Sequence, residues 1–224
     1  MTTNTPASNN DGANNSDAKG PDSFVTEAYN LENEKSMKQF YAKWAADYDQ
    51  QMLVELGYVS PFLIAEALKK NLPNKKSRIL DIGCGTGLTV VDLSKAGYTH
   101  LYGIDLSEDM VEVAGSRGIY TNLKTGDVNQ PLDYNDNFFD GAISSGTFTH
   151  GHVGPKPLRE ICRILKPGGI IACTVHMDLW ETMEFKQEFK LLVSNGIIEC
   201  LSLDMDKFYE TGDAEGWFCV YRKL

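Results

Sequence analysis

The chain has 224 residues, of which 42% are hydrophobic and 23% are charged. This length suits one substantial domain with appendages, and the composition excludes a wholly disordered chain, a collagen and a small disulfide scaffold. The formal net charge of −10 repels phosphate backbones at long range, so we expect no nucleic-acid partner. The five cysteines form no CxxC pair and mostly lie in apolar runs, which indicates reduced core residues of a cytoplasmic protein.

The first 23 residues, MTTNTPASNNDGANNSDAKGPDS, are rich in Asn, Ser, Gly and Ala. They contain neither the basic start nor the apolar block of a secretory signal. A membrane-spanning helix needs about 20 apolar residues, which the sequence does not supply. We therefore expect a disordered tail over residues 1–23 and no membrane partner. Residues 24–75 are predicted to form a helical cap or lid, and residues 76–224 the main domain.

The cap region has two helical patterns. Residues 36–54 carry apolar and aromatic side chains at helical spacing. The dipeptide Ser60-Pro61 predicts a second helix with Ser60 as its N-cap, and Pro73 ends that helix.

The main domain alternates between strand and helix patterns. Strands are predicted at 78–82, 101–104, 139–144, 170–175, 197–203 and 217–221. The helices between them include one that ends at Gly97 and one capped by Ser107, and Lys166-Pro167-Gly168-Gly169 fits a type II turn. This alternation predicts an α/β fold with a doubly wound, mostly parallel sheet. Because no helix separates the last two strands, we expect them to form an antiparallel hairpin at one edge.

The chemistry concentrates where the first strand ends. In an open α/β sheet, ligands bind at the carboxyl ends of the strands, and the glycine-rich run from Asp81 to Gly87 (DIGCGTG) lies at that place. Glycines permit a tight turn and let a ligand lie against the backbone. A dinucleotide site would use GxGxxG, whereas this chain has Leu88 at the third glycine position. The carboxylate of Asp81 suits an ammonium group better than a pyrophosphate.

Two further acids follow later strands. Asp105 ends the second strand, where a carboxylate can accept hydrogen bonds from both hydroxyls of a ribose. Asp127 can face an adenine amino group while Val128 packs on the ring. Together the three acids indicate a nucleoside-containing ligand with a positively charged end.

This constellation resembles the class I S-adenosylmethionine-dependent methyltransferases. The matching segments are ILDIGCGTG (79–87), LYGIDLSEDM (101–110), GDV (126–128), FDGAISSG (139–146) and LREICRILKPGGIIACTV (158–175). YAKWAADYDQ, SPFLIAEAL and the KPGG run followed by a long helix are similar to the Williams–Beuren syndrome region methyltransferase-like family. The resemblance implies a Rossmann-like seven-stranded sheet with its final strand antiparallel, and S-adenosylmethionine as the methyl donor.

The resemblance also implies roles for individual residues. The acids, the glycines and the serines at the end of the strand predicted at 139–144 would hold the cofactor's polar groups. Apolar side chains would flank the adenine, and N-terminal aromatic residues would close over it. The implied contacts are Asp81 and a Ser144 or Ser145 carbonyl with the methionine ammonium, Gly83 and Gly85 with the methionine and ribose, Asp105 with the ribose, Leu106, Met110, Asp127 and Val128 with the adenine, and Tyr41, Trp44 and Tyr48 as part of a lid.

Methyl transfer demands little acid–base chemistry, because the sulfonium is already activated. Candidate catalytic residues on the acceptor side are His150, His152 and His176, and Tyr48 of the lid is counted with them. His150 and His152 are separated by one residue, but no third ligand is spaced for a recognisable metal site, so we expect no metal.

Several functions remain open at this point. A small-molecule methyltransferase acting on a thiol, amine or oxygen nucleophile is favoured, because the acidic chain reads Ser144-Ser145-Gly146-Thr147 where amino-nucleobase methyltransferases carry Asn/Asp-Pro-Pro-Tyr. A protein methyltransferase would need a peptide groove. A nicotinamide oxidoreductase is disfavoured by Leu88 and Asp81, and a methyltransferase fold retained for binding is a fourth possibility.

Overall fold

The computed structural model describes residues 25–28, 31, 34–149, 153–211 and 213–224. The predicted disordered tail over residues 1–23 lies outside these ranges. The strands are β1 Arg78–Ile82, β2 His100–Asp105, β3 Asn122–Thr125, β4 Phe139–Phe148, β5 Leu165–His176, β6 Ile198–Lys207 and β7 Glu215–Lys223.

Helices pack on both faces of the sheet that these strands form. They are α1 Glu34–Trp44, α2 Tyr48–Gln50 with a π-helical turn Gln51–Glu55, α3 Ser60–Asn71, α4 Leu88–Lys95, α5 Glu108–Ser116, α6 Pro157–Ile164, α7 Met177–Thr182 and α8 Phe185–Ser194. The helical pattern over residues 36–54 is therefore interrupted by a turn at residues 45–47.

The described strands form one seven-stranded sheet in the order β3-β2-β1-β4-β5-β7-β6. Strands β1 to β5 pair in parallel, whereas β7 runs antiparallel to both β5 and β6. The predicted α/β fold, its antiparallel final strand and the edge hairpin are all confirmed. The change of winding direction between β1 and β4 places the switch point at the carboxyl end of β1.

Two local predictions need correction. Ser60 is the first residue of α3 rather than its N-cap, and the preceding Val59 makes no side-chain capping bond. The hydroxyl of Ser60 instead lies 2.8 Å from the hydroxyl of Ser145 on β4. Cys200 is exposed, while the other four cysteines are buried and all five are free thiols.

Apolar side chains fill both faces of the sheet. One cluster packs Leu80, Phe139 and Phe148 against α6 and α8. The other joins Ile79 and Ile143 to α3, α4 and the aromatic residues of α1. The N-terminal helices are thus part of the main core. Within the described ranges, every helix falls short of the length and apolar character needed to cross a membrane.

Candidate functional site

A cavity of about 310 Å³ opens at the carboxyl ends of β1, β2 and β4. This volume lies at the low end of the range for small-molecule sites. Its walls come from the glycine-rich loop, the turns after β2 and β3, the carboxyl end of β4 with Val153 beyond it, and the N-terminal helices. The lining residues are Met37, Lys38, Tyr41, Tyr48, Gly83, Gly85, Asp105, Leu106, Ser107, Met110, Gly126, Asp127, Val128, Asn129, Ser145, Gly146, Thr147 and Val153.

The glycine-rich loop needs glycine for two different reasons. Gly83 has φ +63°, and a Cβ added there would lie 2.1 Å from the Thr147 hydroxyl oxygen. Gly85 has φ +51°, and a Cβ there would meet nothing within 4 Å. Since Gly85 lines the cavity, its missing side chain leaves space in which a ligand can lie directly against the backbone.

The carboxylate of Asp105 is held rigidly at the end of β2. Its Oδ2 accepts a 2.8 Å hydrogen bond from the Gly85 amide, and its Oδ1 accepts a 2.9 Å bond from the Ser107 amide. Burial raises the pKa of Asp105, while these amide bonds act in the opposite direction. A carboxylate can accept about four hydrogen bonds, so each oxygen keeps capacity for a ribose hydroxyl.

The turn after β3 supplies the third acid of the pattern. Asp127 Oδ1 accepts bonds of 2.8 and 3.0 Å from the amide and side chain of Asn129, and Oδ2 accepts a 3.3 Å bond from Gln130. Val128 is buried beside it. Leu106 and Met110 line the same part of the cavity, so an apolar slot has an acid at its rim.

Asp81 lies beneath the loop, and the described cavity lining does not include it. Its Oδ2 accepts a 2.7 Å hydrogen bond from the Tyr120 hydroxyl, whereas its buried Oδ1 has no partner among the described residues. Burial raises the pKa of Asp81 to about 7, opposed by the Tyr120 bond and reinforced by the charge of Asp105. An orphaned buried carboxylate oxygen fits an ammonium group reached directly or through water.

The β4 serines take different positions from each other. Ser144 is buried and donates its hydroxyl to the Ile82 carbonyl at 2.8 Å, and it is not among the described lining residues. Ser145 lines the cavity. The carboxyl end of β4 therefore reaches the cavity through residues 145–147, and the Thr147 hydroxyl donates to the Ile82 carbonyl at 2.9 Å.

Aromatic residues of the N-terminal helices lie over the cavity. Tyr41 and Tyr48 line it, and Trp44 packs behind them, 4.7 Å from the ring of Tyr48. Met37 and Lys38 also line the cavity, and sequence reasoning missed both. Their spacing does not distinguish a cavity wall from an ordinary helix surface.

A three-residue cluster, which we call the latch, joins this cover to the glycine-rich loop. Asp49 forms an ion pair with Arg117 at the end of α5. The Thr86 hydroxyl donates to Asp49 at 2.5 Å, and Arg117 Nε donates to the Thr86 carbonyl at 2.5 Å. The residue after Tyr48 is therefore tied to the loop that carries Gly85.

A second, aromatic pocket of about 30 Å³ adjoins the cavity and shares Tyr41, Tyr48 and Gly146 with it. Its other walls come from the N-terminal helices and from the connection between β6 and β7. They are Val25, Ala28, Trp44, Met52, Tyr58, Thr149, Phe208 and Tyr209. Sequence reasoning missed the walls contributed by Tyr58, Phe208 and Tyr209.

Pairing between distant segments builds this pocket. Val59 donates its amide to the Phe208 carbonyl at 2.9 Å, and Tyr58 and Tyr209 form an antiparallel bridge with ring centroids 5.2 Å apart. The Ser145 hydroxyl lies 3.3 Å from the Tyr58 hydroxyl and 2.8 Å from that of Ser60. This trio of hydroxyls connects the wall of the aromatic pocket to the cavity.

Of the candidate catalytic histidines, His150 and His152 lie outside the described residues. His176 is buried and caps α7 by accepting the Asp178 amide at 3.3 Å. Its ring contacts Phe208 at a centroid distance of 5.9 Å, so His176 lies one layer behind the aromatic pocket. Its catalytic role stays a prediction.

The protonation state of Tyr48 and the set of possible metal ligands both limit the chemistry of the site. Burial raises the pKa of Tyr48 well above its usual value, so its phenol is a hydrogen-bond donor rather than a base near neutral pH. In the part of the chain that the structure describes, no cluster of three or more His, Cys, Asp or Glu side chains could hold a metal ion.

Comparisons with known proteins agree with this geometry. Residues 80–173 match the family model described as "Methyltransferase domain". The chain is 30% identical over 195 residues to human methyltransferase-like protein 27, covering 86% of this chain and 74% of the human protein. It is 32% identical over 149 residues to demethylmenaquinone methyltransferase of Symbiobacterium thermophilum, covering 63% of this chain and 59% of that enzyme.

A structural comparison shows the same fold. The S-adenosylmethionine-dependent methyltransferase from Mesorhizobium loti superposes with a TM-score of 0.55 at 17% identity, covering 70% of this chain and 96% of that one. The glycine-rich loop, the following acids and the β7 direction thus occur in a chain of which 86% aligns with human methyltransferase-like protein 27. The protein therefore belongs to the class I S-adenosylmethionine-dependent methyltransferases and, within them, to the Williams–Beuren syndrome region methyltransferase-like family.

Proposed function

We propose that the protein transfers the methyl group of S-adenosylmethionine to a small-molecule acceptor, with the cofactor held in the 310 Å³ cavity. The observation that carries this proposal is the Asp105 carboxylate, fixed by two backbone amides beside the open space over Gly85. When bound, the cofactor supplies a methyl group already activated on a sulfonium.

Four groups of residues would hold the cofactor. Asp105 accepts from the ribose hydroxyls, and the loop from Gly83 to Gly85 contacts the cofactor through its backbone. Asp127 faces the adenine amino group across the slot of Val128, Leu106 and Met110. At the other end, the unpartnered oxygen of Asp81 balances the ammonium.

Beyond binding the cofactor, the protein contributes to methyl transfer by positioning the two reactants and excluding water from them. Tyr41 and Tyr48 cover the cavity from α1 and α2, and the latch fixes that cover to the glycine-rich loop. Holding two reactants in line and out of water accounts for a large part of the barrier reduction in such transfers. A protein base is needed only when the acceptor must lose its proton for the attack to occur.

A small acceptor is supported by the size and position of the aromatic pocket. It has about 30 Å³ and adjoins the cavity at Gly146, which suits the reacting group of a small molecule better than a length of peptide. The match to an enzyme named for demethylmenaquinone supports the same class. The free thiols at all five cysteines support the cytoplasm as the compartment.

Two measurements test the proposal. Calorimetric titration is expected to show binding of S-adenosylhomocysteine and no binding of NAD, and the reverse would contradict the cofactor assignment. A screen with methyl-labelled cofactor against thiols, amines, phenols, carboxylates and unstructured peptides then tests the acceptor. Label in peptides and in none of the small molecules would favour the protein methyltransferase instead.

A further inference from the structure

We infer that the aromatic pocket is the acceptor site and that the acceptor is a small-molecule amine. This inference rests on the proposed cofactor site and adds to it the class of nucleophile. The pocket shares Tyr41, Tyr48 and Gly146 with the cavity, so a group in the pocket borders whatever fills the cavity.

The walls of the pocket are aromatic and uncharged. The ring centroid of Trp44 lies 4.7 Å from that of Tyr48 and 6.0 Å from that of Tyr41. The ring centroids of Tyr58 and Tyr209 are 5.2 Å apart. The described residues that line the pocket include no Asp, Glu, Lys, Arg or His. Burial raises the pKa of Tyr48 and Tyr58, so these phenols stay neutral near pH 7.

Such walls discriminate between nucleophiles by charge. A carboxylate, phenolate or thiolate would lose its hydration on entering and would meet no cationic side chain among the described lining residues, which is costly. A neutral amine enters without that cost, because burial in apolar surroundings favours the uncharged form of an amine. Once nitrogen becomes cationic, the faces of the aromatic rings attract it.

The charge flow of the reaction follows the same pattern. The amine lone pair forms the new C–N bond, and the electrons of the broken C–S bond stay on sulfur. Positive charge therefore moves from sulfur to nitrogen, and the surplus proton on nitrogen passes to water. The cation remains within reach of the rings of Tyr41, Trp44 and Tyr48 throughout, so no protein base is required.

The hydroxyl groups of Ser145, Tyr58 and Ser60 can orient the amine. Ser145 lines the cavity, and its hydroxyl contacts those of Tyr58 and Ser60 at 3.3 and 2.8 Å. A hydroxyl oxygen can accept an N–H hydrogen bond. Ser145 would thereby hold one N–H and leave the nitrogen lone pair directed at the cavity.

The test uses the full chain loaded with S-adenosylhomocysteine. In this complex the sulfur is neutral, so an ammonium ion bound in the aromatic pocket reproduces the charge distribution of the reaction products. Benzylamine, benzyl alcohol and benzoate are titrated into it near pH 7. These three probes share a ring and differ in the small head group. We expect benzylamine to bind about two- to thirtyfold more tightly than the other two, which corresponds to one cation–π contact.

Variants of Tyr209 separate an aromatic effect from a folding effect. Tyr209→Leu removes one ring face and is expected to lower the preference for benzylamine by about threefold, whereas Tyr209→Phe keeps the ring and the preference. Tyr209 is not among the described residues that line the cavity, so the affinity for S-adenosylhomocysteine should be unchanged in both variants.

Equal binding of the three probes, tighter binding of benzoate, or no binding of benzylamine to the loaded protein would overturn the inference. Tighter binding of a lysine-containing peptide than of benzylamine would also overturn it, in favour of a protein acceptor. In each case intact binding of S-adenosylhomocysteine leaves the proposed cofactor site standing. Loss of that binding, by contrast, would refute the proposed function itself.

Discussion

The two halves of the proposed site, the cavity assigned to the cofactor and the aromatic pocket assigned to the acceptor, differ in how the chain builds them. The cofactor half comes mainly from consecutive strand ends, with its glycine-rich loop and its three acids within residues 81–128. The acceptor half combines residues from α1, the 57–60 segment, the end of β4 and the β6–β7 connection. The first half is a set of short local motifs, and the second exists only when distant segments meet.

The halves also differ in chemistry. The cofactor half contains three buried or half-buried carboxyl groups, Asp81, Asp105 and Asp127, whereas the described lining of the acceptor half is uncharged and largely aromatic. A ligand with fixed positive groups and a polar sugar needs directional acceptors, while an uncharged nucleophile needs a dry surface. The following predictions test whether the two halves can be perturbed separately.

The largest effect is expected at Asp105. Asp105→Ala should weaken S-adenosylhomocysteine binding by about a hundredfold or more, since it removes two hydrogen bonds to a charged acceptor worth roughly 1.5–3 kcal/mol each. Asp105→Asn keeps the shape of the side chain and an acceptor oxygen for one of the two amides that Asp105 binds, so it serves as a second variant in case Asp105→Ala fails to fold. Asp109→Ala, an exposed acid at the start of α5, serves as the control in calorimetry. Unchanged affinity in both Asp105 variants would refute the ribose assignment.

Gly85 offers a matched comparison with Gly118. Both have positive φ, +51° and +65°, and a Cβ at either position would meet no protein atom within 4 Å. Alanine at each should cost about 1–2 kcal/mol of stability through backbone strain. Only Gly85→Ala should also weaken S-adenosylhomocysteine binding, by about five- to a hundredfold, because its Cβ takes space in the cavity. Equal affinities in the two variants would show that the cofactor does not lie over this loop.

The titration of Asp81 should appear in the pH dependence of binding. Its pKa is about 7 in the free protein, and an ammonium ligand favours the ionised form and lowers that pKa. Affinity should therefore be constant above about pH 7 and fall by up to about tenfold per pH unit below it. Asp81→Asn should bind more weakly at pH 8 and show a flat profile. If the affinity of the wild-type protein for S-adenosylhomocysteine does not change with pH, Asp81 does not interact with the ligand's ammonium group.

The raised pKa of Asp81 should also make the stability of the ligand-free protein depend on pH. Because the folded pKa of Asp81 lies above its unfolded value of 3.8, the folded state holds its proton more tightly. The contribution of this group to stability is therefore fully present below about pH 4 and is lost as pH rises towards 7. Asp81→Asn should raise the melting temperature at pH 8 and leave it nearly unchanged at pH 4.

The latch should have a smaller effect. The Asp49 and Arg117 side chains are 35% and 23% exposed, so breaking their pair should cost about 1 kcal/mol or less. Asp49→Asn is expected to weaken S-adenosylhomocysteine binding about threefold and to increase hydrogen exchange over residues 48–55, with the difference shrinking at high salt. Arg222→Gln, which breaks the pair with Glu199 at the hairpin edge, is the control. Equal exchange in both variants would mean that the latch does not position the cover.

The smallest effect is expected at His176. Because its ring caps α7 and touches the pocket through Phe208, His176→Ala should lower stability by about 1 kcal/mol. Turnover on a verified acceptor should change less than about twofold, since an amine acceptor needs no protein base. If turnover instead falls by about a hundredfold or more while cofactor affinity is unchanged, His176 acts as a general base in the reaction.

The sequence alone determined the parallel sheet, the edge hairpin and the position of the glycine-rich loop. These features follow from local periodicity, from closely spaced glycines and from acids directly after strands, and all of these patterns can be recognised within a short stretch of sequence. Asp105 was predictable for this reason, because a residue that ends a parallel strand must lie at the binding edge.

Only the tertiary structure decided which residues meet beyond that edge. Tyr58 and Tyr209 are 151 positions apart and pair through a single bridge, and the Asp49–Arg117–Thr86 cluster joins three separate elements. Aromatic residues at helical spacing fit a core as well as a cavity wall, so sequence could not separate Trp44 from Tyr48. The packing of the N-terminal helices against the sheet made that distinction, because it alone fixes which ring faces the cavity.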